Sequence, residues 1–188
     1  NFEMKNEESY YHREQSQIKH LILEKYLSRF AHIVGSRWSG IIYVDGFAGP
    51  WNVTSNDFSD SSFAIALREL RKARDGVHKA FKQKYLDIEC IFLERDPTAF
   101  KALEDYSKRQ QDVRITALNA EFEEAIPQLI RVIEAKKSEL FPFVLIDPKG
   151  WKGFAMDVIA PLIRQRPCEI LINFMTGHII RFVEDERD

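Results

Sequence analysis

Five polar side chains follow short apolar runs of the sequence, and their types suit the binding of a small ligand. Carboxylates accept hydrogen bonds and attract cations, and side-chain amides both donate and accept. In an open parallel sheet, ligands bind outside the carboxyl ends of the strands, so side chains at those ends share one edge. We therefore expect a binding site at this edge, built from Asp45, Glu94, Asn119, Asp147 and Asn173.

The segment Asp45-Gly46-Phe47-Ala48-Gly49-Pro50 comes directly after the first apolar run, residues 41–44. Its two glycines allow a tight turn and a close approach of the backbone to a ligand. Neither the G-x-G-x-x-G fingerprint of a dinucleotide site nor the G-x-x-x-x-G-K-[ST] phosphate loop is present. An acidic side chain at the turn would also repel a pyrophosphate. Glu94, at the end of the next run, can instead accept hydrogen bonds from both hydroxyls of a ribose.

Predicted helices and strands alternate along the chain, and the strands carry these polar residues at their ends. Helical spacing of apolar residues predicts a long amphipathic helix over residues 15–34, ending at Gly35. Short, largely β-branched or aromatic runs, each bounded by polar residues, predict five strands. Such alternation indicates parallel strands joined by helical crossovers, in a sheet covered on both faces. The predicted strands cover 41–44, 88–93, 113–117, 143–146 and 170–172, with helical patterns at 63–70, 100–103, 122–133 and 154–163.

Length and composition indicate one globular domain. The chain has 188 residues, of which 45% are hydrophobic and 30% charged, and its 27 basic and 29 acidic residues give a net charge of −2. We expect a polar, flexible N-terminus over residues 1–13 and a single domain over residues 14–188. Two cysteines in apolar surroundings and the absence of a membrane-spanning or signal-peptide run favour a reducing cytoplasm. Because the chain starts with Asn rather than Met, we also expect it to be a fragment, a processed form or a partial version of a longer protein.

Segments running in order across residues 15–180 resemble class I methyltransferases, and in particular the three-Cys-motif partner proteins. Taken together, these segments are fairly specific for the family, although no single segment is. They comprise residues 19–27, Val44 to Pro50, Phe92-Leu93-Glu94-Arg95-Asp96-Pro97, Leu145 to Gly153 with Asp147-Pro148-Lys149-Gly150-Trp151, and Leu171-Ile172-Asn173-Phe174-Met175.

The resemblance implies a Rossmann-like, doubly wound, mostly parallel sheet that binds S-adenosylmethionine. The methionine end would lie against Asp45, Gly46, Phe47 and Gly49, the ribose against Glu94, and the adenine beside Asn119. Asp147 and Pro148 would sit beside the transferred methyl group as the catalytic residues, and Lys149 and Trp151 would contact the substrate. The group is named after cysteines in a neighbouring partner protein, so Cys90 and Cys168 need no catalytic role.

Three departures from the family pattern bear on the function. The position after Gly49-Pro50, often glycine in the group, is Trp51, which would narrow the cofactor mouth or form a lid. Amino-methylating enzymes carry an aromatic residue directly after Asp or Asn, Pro and Pro, whereas here Lys149 and Gly150 intervene before Trp151. The class sheet usually has seven strands and five are predicted, so we expect the domain to be incomplete, with its final strands missing after Asp188.

Three functions remain open. The first is a methyltransferase acting on nucleic acid, and the second is a non-catalytic docking subunit for a protein, such as a genomic neighbour, or a nucleic acid. The third is a nucleotide-binding enzyme with different chemistry. Residues 68–85, with seven basic side chains against two acidic ones, could contact phosphates or form a solvated helix face. The spacing of the five histidines matches no metal site, so we expect no bound metal ion. We also expect no membrane partner.

Overall fold

A computed structural model describes residues 2–49, 57–82, 84–148, 155–165 and 167–173, with side chains from residue 17 onward. Helices and strands alternate along these residues, which confirms the α/β class. The elements are α1 (Phe2–Gly35), β1 (Gly40–Asp45), α2 (Ser62–Ala80), β2 (Asp87–Leu93), α3 (Pro97–Lys108), β3 (Arg114–Leu118), α4 (Phe122–Lys136), β4 (Leu140–Ile146), α5 (Met156–Ile163) and β5 (Glu169–Ile172).

The five strands form one sheet in the order β3-β2-β1-β4-β5, and every neighbouring pair is parallel. The fold is therefore Rossmann-like. After β3 the chain crosses to the other side of β1, so the direction of winding reverses between β1 and β4. In open sheets of this kind, the crevice outside the carboxyl ends at such a reversal is the usual ligand position.

Helices cover both faces of the sheet, as the apolar strands predict. Side chains alternate along a strand, so Ile41 and Tyr43 of β1 face one layer while Ile42 and Val44 face the other. The first layer contains α1, α2 and α3, and the second contains α4 and α5. All four of these β1 side chains are fully buried, so the end of β1 is held by packing from both sides.

Helix α1 extends further toward the N-terminus than its apolar pattern predicts. It begins at Phe2, so residues 2–13, expected to be a flexible N-terminus, are helical in the structure. The apolar periodicity does not extend into residues 2–13 because most of them are polar. They contain neither proline nor glycine, so nothing in their composition prevents a helix. Further along, α1 packs on β4, where the rings of Phe30 and Phe143 are 4.9 Å apart between centroids.

Candidate functional site

The five strand-end residues lie at the same edge of the sheet, as expected. Asp45 is the last residue of β1, and the other four directly follow the last residues of β2, β3, β4 and β5. Backbone hydrogen bonds continue past the strands and tie this edge together. They run from Gly46 N to Leu145 O (3.0 Å), from Ala48 N to Leu93 O (2.8 Å), from Glu94 N to Leu118 O (3.1 Å) and from Asn173 N to Ile146 O (2.9 Å).

Asp45 anchors the turn after β1. One carboxylate oxygen accepts a hydrogen bond from the Phe47 backbone amide at 3.1 Å, and the other accepts one from the Ser62 hydroxyl at 2.7 Å. Ser62 is the first residue of α2. The side chain of Asp45 therefore links the end of β1 to the start of the crossover helix, and this link holds the turn in one place.

Gly46 allows a helix to approach this turn closely. A Cβ atom at position 46 would lie 2.6 Å from Cδ2 of Phe122, the first residue of α4. The ring of Phe47 also packs on Phe122, with 5.5 Å between the centroids. The sequence suggested that a glycine here lets the backbone approach a ligand. In the structure, the side chain that leaves no room for a Cβ atom at position 46 is Phe122 of α4.

The electrostatic environment of Asp45 favours a positively charged ligand. Burial raises the pKa of Asp45 to about 6, and the carboxylates of Asp147 and Glu94 add to the rise, whereas the hydrogen bonds from Ser62 and Phe47 oppose it. The residue is 1% exposed. In the described part of the chain, none of the ion pairs includes Asp45. A buried charge without a cationic partner is costly, and a cationic ligand would offset that cost.

Glu94 and Asn119 come together at the ends of β2 and β3. Glu94 is buried, and its Oε1 accepts a hydrogen bond from the backbone amide of Asp96 at 2.7 Å. Asn119 is more exposed, and its side-chain nitrogen donates to the backbone oxygens of Glu94 (2.8 Å) and Arg95 (3.0 Å). Asn119 therefore fixes the backbone that carries Glu94.

Asp147 has a partner that the sequence reasoning missed. Lys19 Nζ of α1 donates a hydrogen bond to Asp147 Oδ1 at 2.8 Å. The neighbouring residue His20 is also close enough to Asp147 to interact with it, and burial lowers the pKa of this imidazole. Lys19 and Asp147 are 128 residues apart, and no spacing rule connects residues at that separation. The only hint in the sequence is that Lys19 falls within the segment that resembles the methyltransferase family.

Several predicted site residues lie outside the described residues. These are Lys149 and Trp151, which the family resemblance implies as substrate contacts, the intervening Gly150, and Pro50 and Trp51, which follow Gly49 in the sequence. Of the remaining candidates, Pro148 is buried directly after Asp147, and Gly49 is buried at the end of the first turn. Among the described residues, no group of three or more His, Cys, Asp or Glu side chains could hold a metal ion.

Ion pairs neutralise much of the basic segment at residues 68–85. Arg71 and Arg74 both bind the carboxylate of Asp112. Arg68 and Lys72 both pair with Glu69, and Arg68 also reaches Glu24 of α1. Arg68, Arg71 and Arg74 thus link α2 to neighbouring segments, whereas Lys72 pairs within the helix. All four cations already have carboxylate partners, which weakens the interpretation of the segment as a phosphate-binding surface.

Comparisons with known proteins do not identify the chain. No protein-family model matches it, and no curated protein matches it. No helix in the described ranges is long and apolar enough to cross a bilayer.

Proposed function

We propose that this protein is an S-adenosylmethionine-dependent methyltransferase that acts on nucleic acid. One observation carries the proposal: a buried carboxylate, Asp45, lies where the winding of the sheet reverses, without an ion-pair partner among the described residues. Glu94 and Asp147 add two more carboxylates at the same edge. The nucleic-acid part of the proposal rests on the resemblance of the strand-end segments to the methyltransferase family.

The side chains at this edge fit the chemistry of the cofactor. S-adenosylmethionine carries a sulfonium and an ammonium group, and a cluster of carboxylates attracts such a cation whereas it would repel a pyrophosphate. Asp45, with Gly46, Phe47 and Gly49, would hold the methionine end. The carboxylate of Glu94 would accept hydrogen bonds from the ribose hydroxyls, and Asn119 would lie beside the adenine. When bound, the cofactor supplies a methyl group that is already activated for transfer.

The chain itself would then contribute position and a proton acceptor. Asp147 follows β4, next to β1 in the sheet, so it adjoins the proposed cofactor site and can orient the attacking group of a substrate. Holding two reactants in line accounts for a large part of the rate of a two-substrate reaction. A base inside a duplex would have to leave the stack to reach this edge.

A methyl-transfer assay with an Asp147 variant tests the proposal. Purified protein, alone and with the product of its genomic neighbour, would be incubated with methyl-labelled S-adenosylmethionine and pools of RNA and DNA. We expect label in nucleic acid, and we expect Asp147→Ala to abolish the transfer while cofactor affinity stays within a few-fold. Asp157→Ala changes an exposed acid on α5 and serves as the control. Unchanged turnover of Asp147→Ala would contradict the role of Asp147.

A docking subunit is the second candidate, and the surface of α1 favours it. Large apolar side chains at helical spacing are exposed on this helix, as is typical of protein contacts. They are Ile18, Leu21, Ile22, Tyr26 and Ile33. Transfer of label by the purified chain alone would decide for the enzyme. The docking subunit would be favoured if label were transferred only by the complex with the genomic neighbour's product, and if Asp147→Ala left that transfer unchanged.

A further inference from the structure

The contact between α1 and β4 places a cation at the proposed catalytic carboxylate. Lys19 Nζ is 2.8 Å from Asp147 Oδ1, and the two side chains are 23% and 27% exposed, so the pair is shielded but still reachable from solvent. Leu23 and Leu27, one and two turns further along α1, are buried in the core. The packing of α1 therefore fixes the ammonium group at this edge of the sheet.

We propose, on the basis of the function proposed above, that the methyl acceptor is a hydroxyl group, and that in nucleic acid it is the ribose 2′-hydroxyl of RNA. The Lys19–Asp147 pair carries this inference. Any group that hydrogen-bonds to Asp147 lies within a few ångströms of the Lys19 ammonium. The charge that develops on the attacking atom therefore decides whether this ammonium helps or hinders the reaction.

An amine and a hydroxyl develop opposite charges during methyl transfer. A neutral amine attacks through the lone pair of its nitrogen, which becomes positively charged. A neighbouring ammonium group repels this developing positive charge. A hydroxyl oxygen is a weak nucleophile until its proton leaves, and it becomes more negative as the proton is removed. An ammonium beside it stabilises that negative charge. The site therefore favours an oxygen nucleophile over an amino group of a base.

The proposed step balances with the residues at hand. A lone pair on the hydroxyl oxygen forms the bond to the methyl carbon, and the carbon–sulfur bond breaks with its electron pair remaining on the sulfur. The hydroxyl proton moves to the Asp147 carboxylate and from there to water. Lys19 keeps its protons throughout and donates a hydrogen bond to the oxygen. DNA lacks the 2′-hydroxyl, which is the group that lets a protein distinguish RNA from DNA.

The position of the transferred methyl group tests the inference directly. RNA and DNA pools of matched sequence would be labelled by the wild-type protein, and the RNA would then be hydrolysed in alkali. Methylation of a 2′-hydroxyl blocks cleavage of the adjacent phosphodiester, so the label should remain in alkali-resistant dinucleotides, and DNA should take up none. Label on a base, or in DNA, would overturn the inference while leaving the methyltransferase proposal intact.

Variants of Lys19 test whether the ammonium acts on the acceptor. We expect Lys19→Met to lower the rate of transfer to RNA by about 10²-fold, the loss typical of removing one charge-stabilising donor. Lys19→Arg, which retains a cation and the contact with Asp147, should recover part of the rate. Lys25→Met removes an exposed lysine of the same helix and should leave the rate unchanged. A wild-type rate in Lys19→Met would contradict the inference.

Two binding measurements separate the failure of this inference from the failure of the proposed function. Calorimetric titration with S-adenosylhomocysteine should show equal affinity in wild type and Lys19→Met. If neither wild type nor Lys19→Met binds S-adenosylhomocysteine, both the proposed function and this inference are overturned. Fluorescence anisotropy without any cofactor should show that RNA binds more tightly than DNA and that Lys19→Met reduces this preference. Cofactor binding combined with an equal affinity for RNA and DNA would contradict the hydroxyl inference alone.

Discussion

Asp45 keeps a carboxylate inside the protein, where burial raises its pKa to about 6. Each pKa unit corresponds to about 1.4 kcal/mol of difference between the two protonation states. Asp45→Asn removes the charge and retains an oxygen that can accept a hydrogen bond, although its new amide group needs an acceptor of its own. We therefore expect the variant to be more stable than wild type by about 1–3 kcal/mol at pH 7. Chemical denaturation of both proteins measures this difference.

The pH dependence of that difference follows from the direction of the shift. Between the ordinary aspartate pKa of about 4 and the raised value, the folded state binds more protons than the unfolded state. The wild type therefore loses stability as the pH rises through this interval, and Asp45→Asn does not. The advantage of the variant should vanish below about pH 4 and be complete above the folded pKa. A constant difference across this range would contradict an uncompensated charge at Asp45.

The sequence predicts which residues stand at strand ends, because each follows an apolar run that can be recognised locally. It cannot predict their partners. Ser62 reaches Asp45 from 17 residues away, and Lys19 reaches Asp147 from 128 residues away. These contacts arise from the packing of helices, which the local pattern does not specify.

The turn after β1 and the start of α4 depend on each other through Gly46. A Cβ at this position would lie 2.6 Å from the ring of Phe122, which is itself buried. We expect Gly46→Ala to destabilise the protein by about 1–3 kcal/mol, the usual cost of overpacking. Thermal or chemical denaturation measures the loss.

A second substitution checks the origin of this effect. Phe122→Leu removes the ring atoms that the new methyl group would meet, so the double variant Gly46→Ala/Phe122→Leu should lose less than the sum of the two single variants. Strictly additive losses would show that the two residues do not interact. The glycine would then be required for another reason, such as its backbone conformation.

Within the described residues, the elements agree with the prediction in number and type, and less well at their limits. The predicted strand over residues 143–146 begins earlier, at Leu140, and includes Pro142. Proline lacks a backbone donor and normally ends a predicted strand. Here it is tolerated because β5 pairs with β4 only from Phe143 onward, so no partner on that side requires the missing hydrogen bond. Whether a proline is tolerated at this position depends on where the neighbouring strand begins, and the sequence of β4 alone does not predict that.

The arrangement of the whole sheet places the candidate residues. Alternating strands and helices predict parallel strands and two helical layers, both of which are confirmed. They do not predict the strand order, because several orders satisfy the same alternation. The observed order makes β1 and β4 neighbours, although 94 residues lie between the end of β1 and the start of β4. This order brings Asp45 and Asp147 to the same crevice.

Isothermal titration of the chain with S-adenosylmethionine and S-adenosylhomocysteine is the decisive experiment for a cofactor site at the carboxyl ends of the strands. We predict micromolar binding of both, a loss of about tenfold or more in Glu94→Ala because the ribose hydroxyls lose a charged acceptor, and no change in Glu134→Ala, an exposed acid on α4. A folded wild-type chain that binds neither molecule, or a Glu94→Ala variant that binds as tightly as wild type, would contradict a cofactor site at this edge of the sheet.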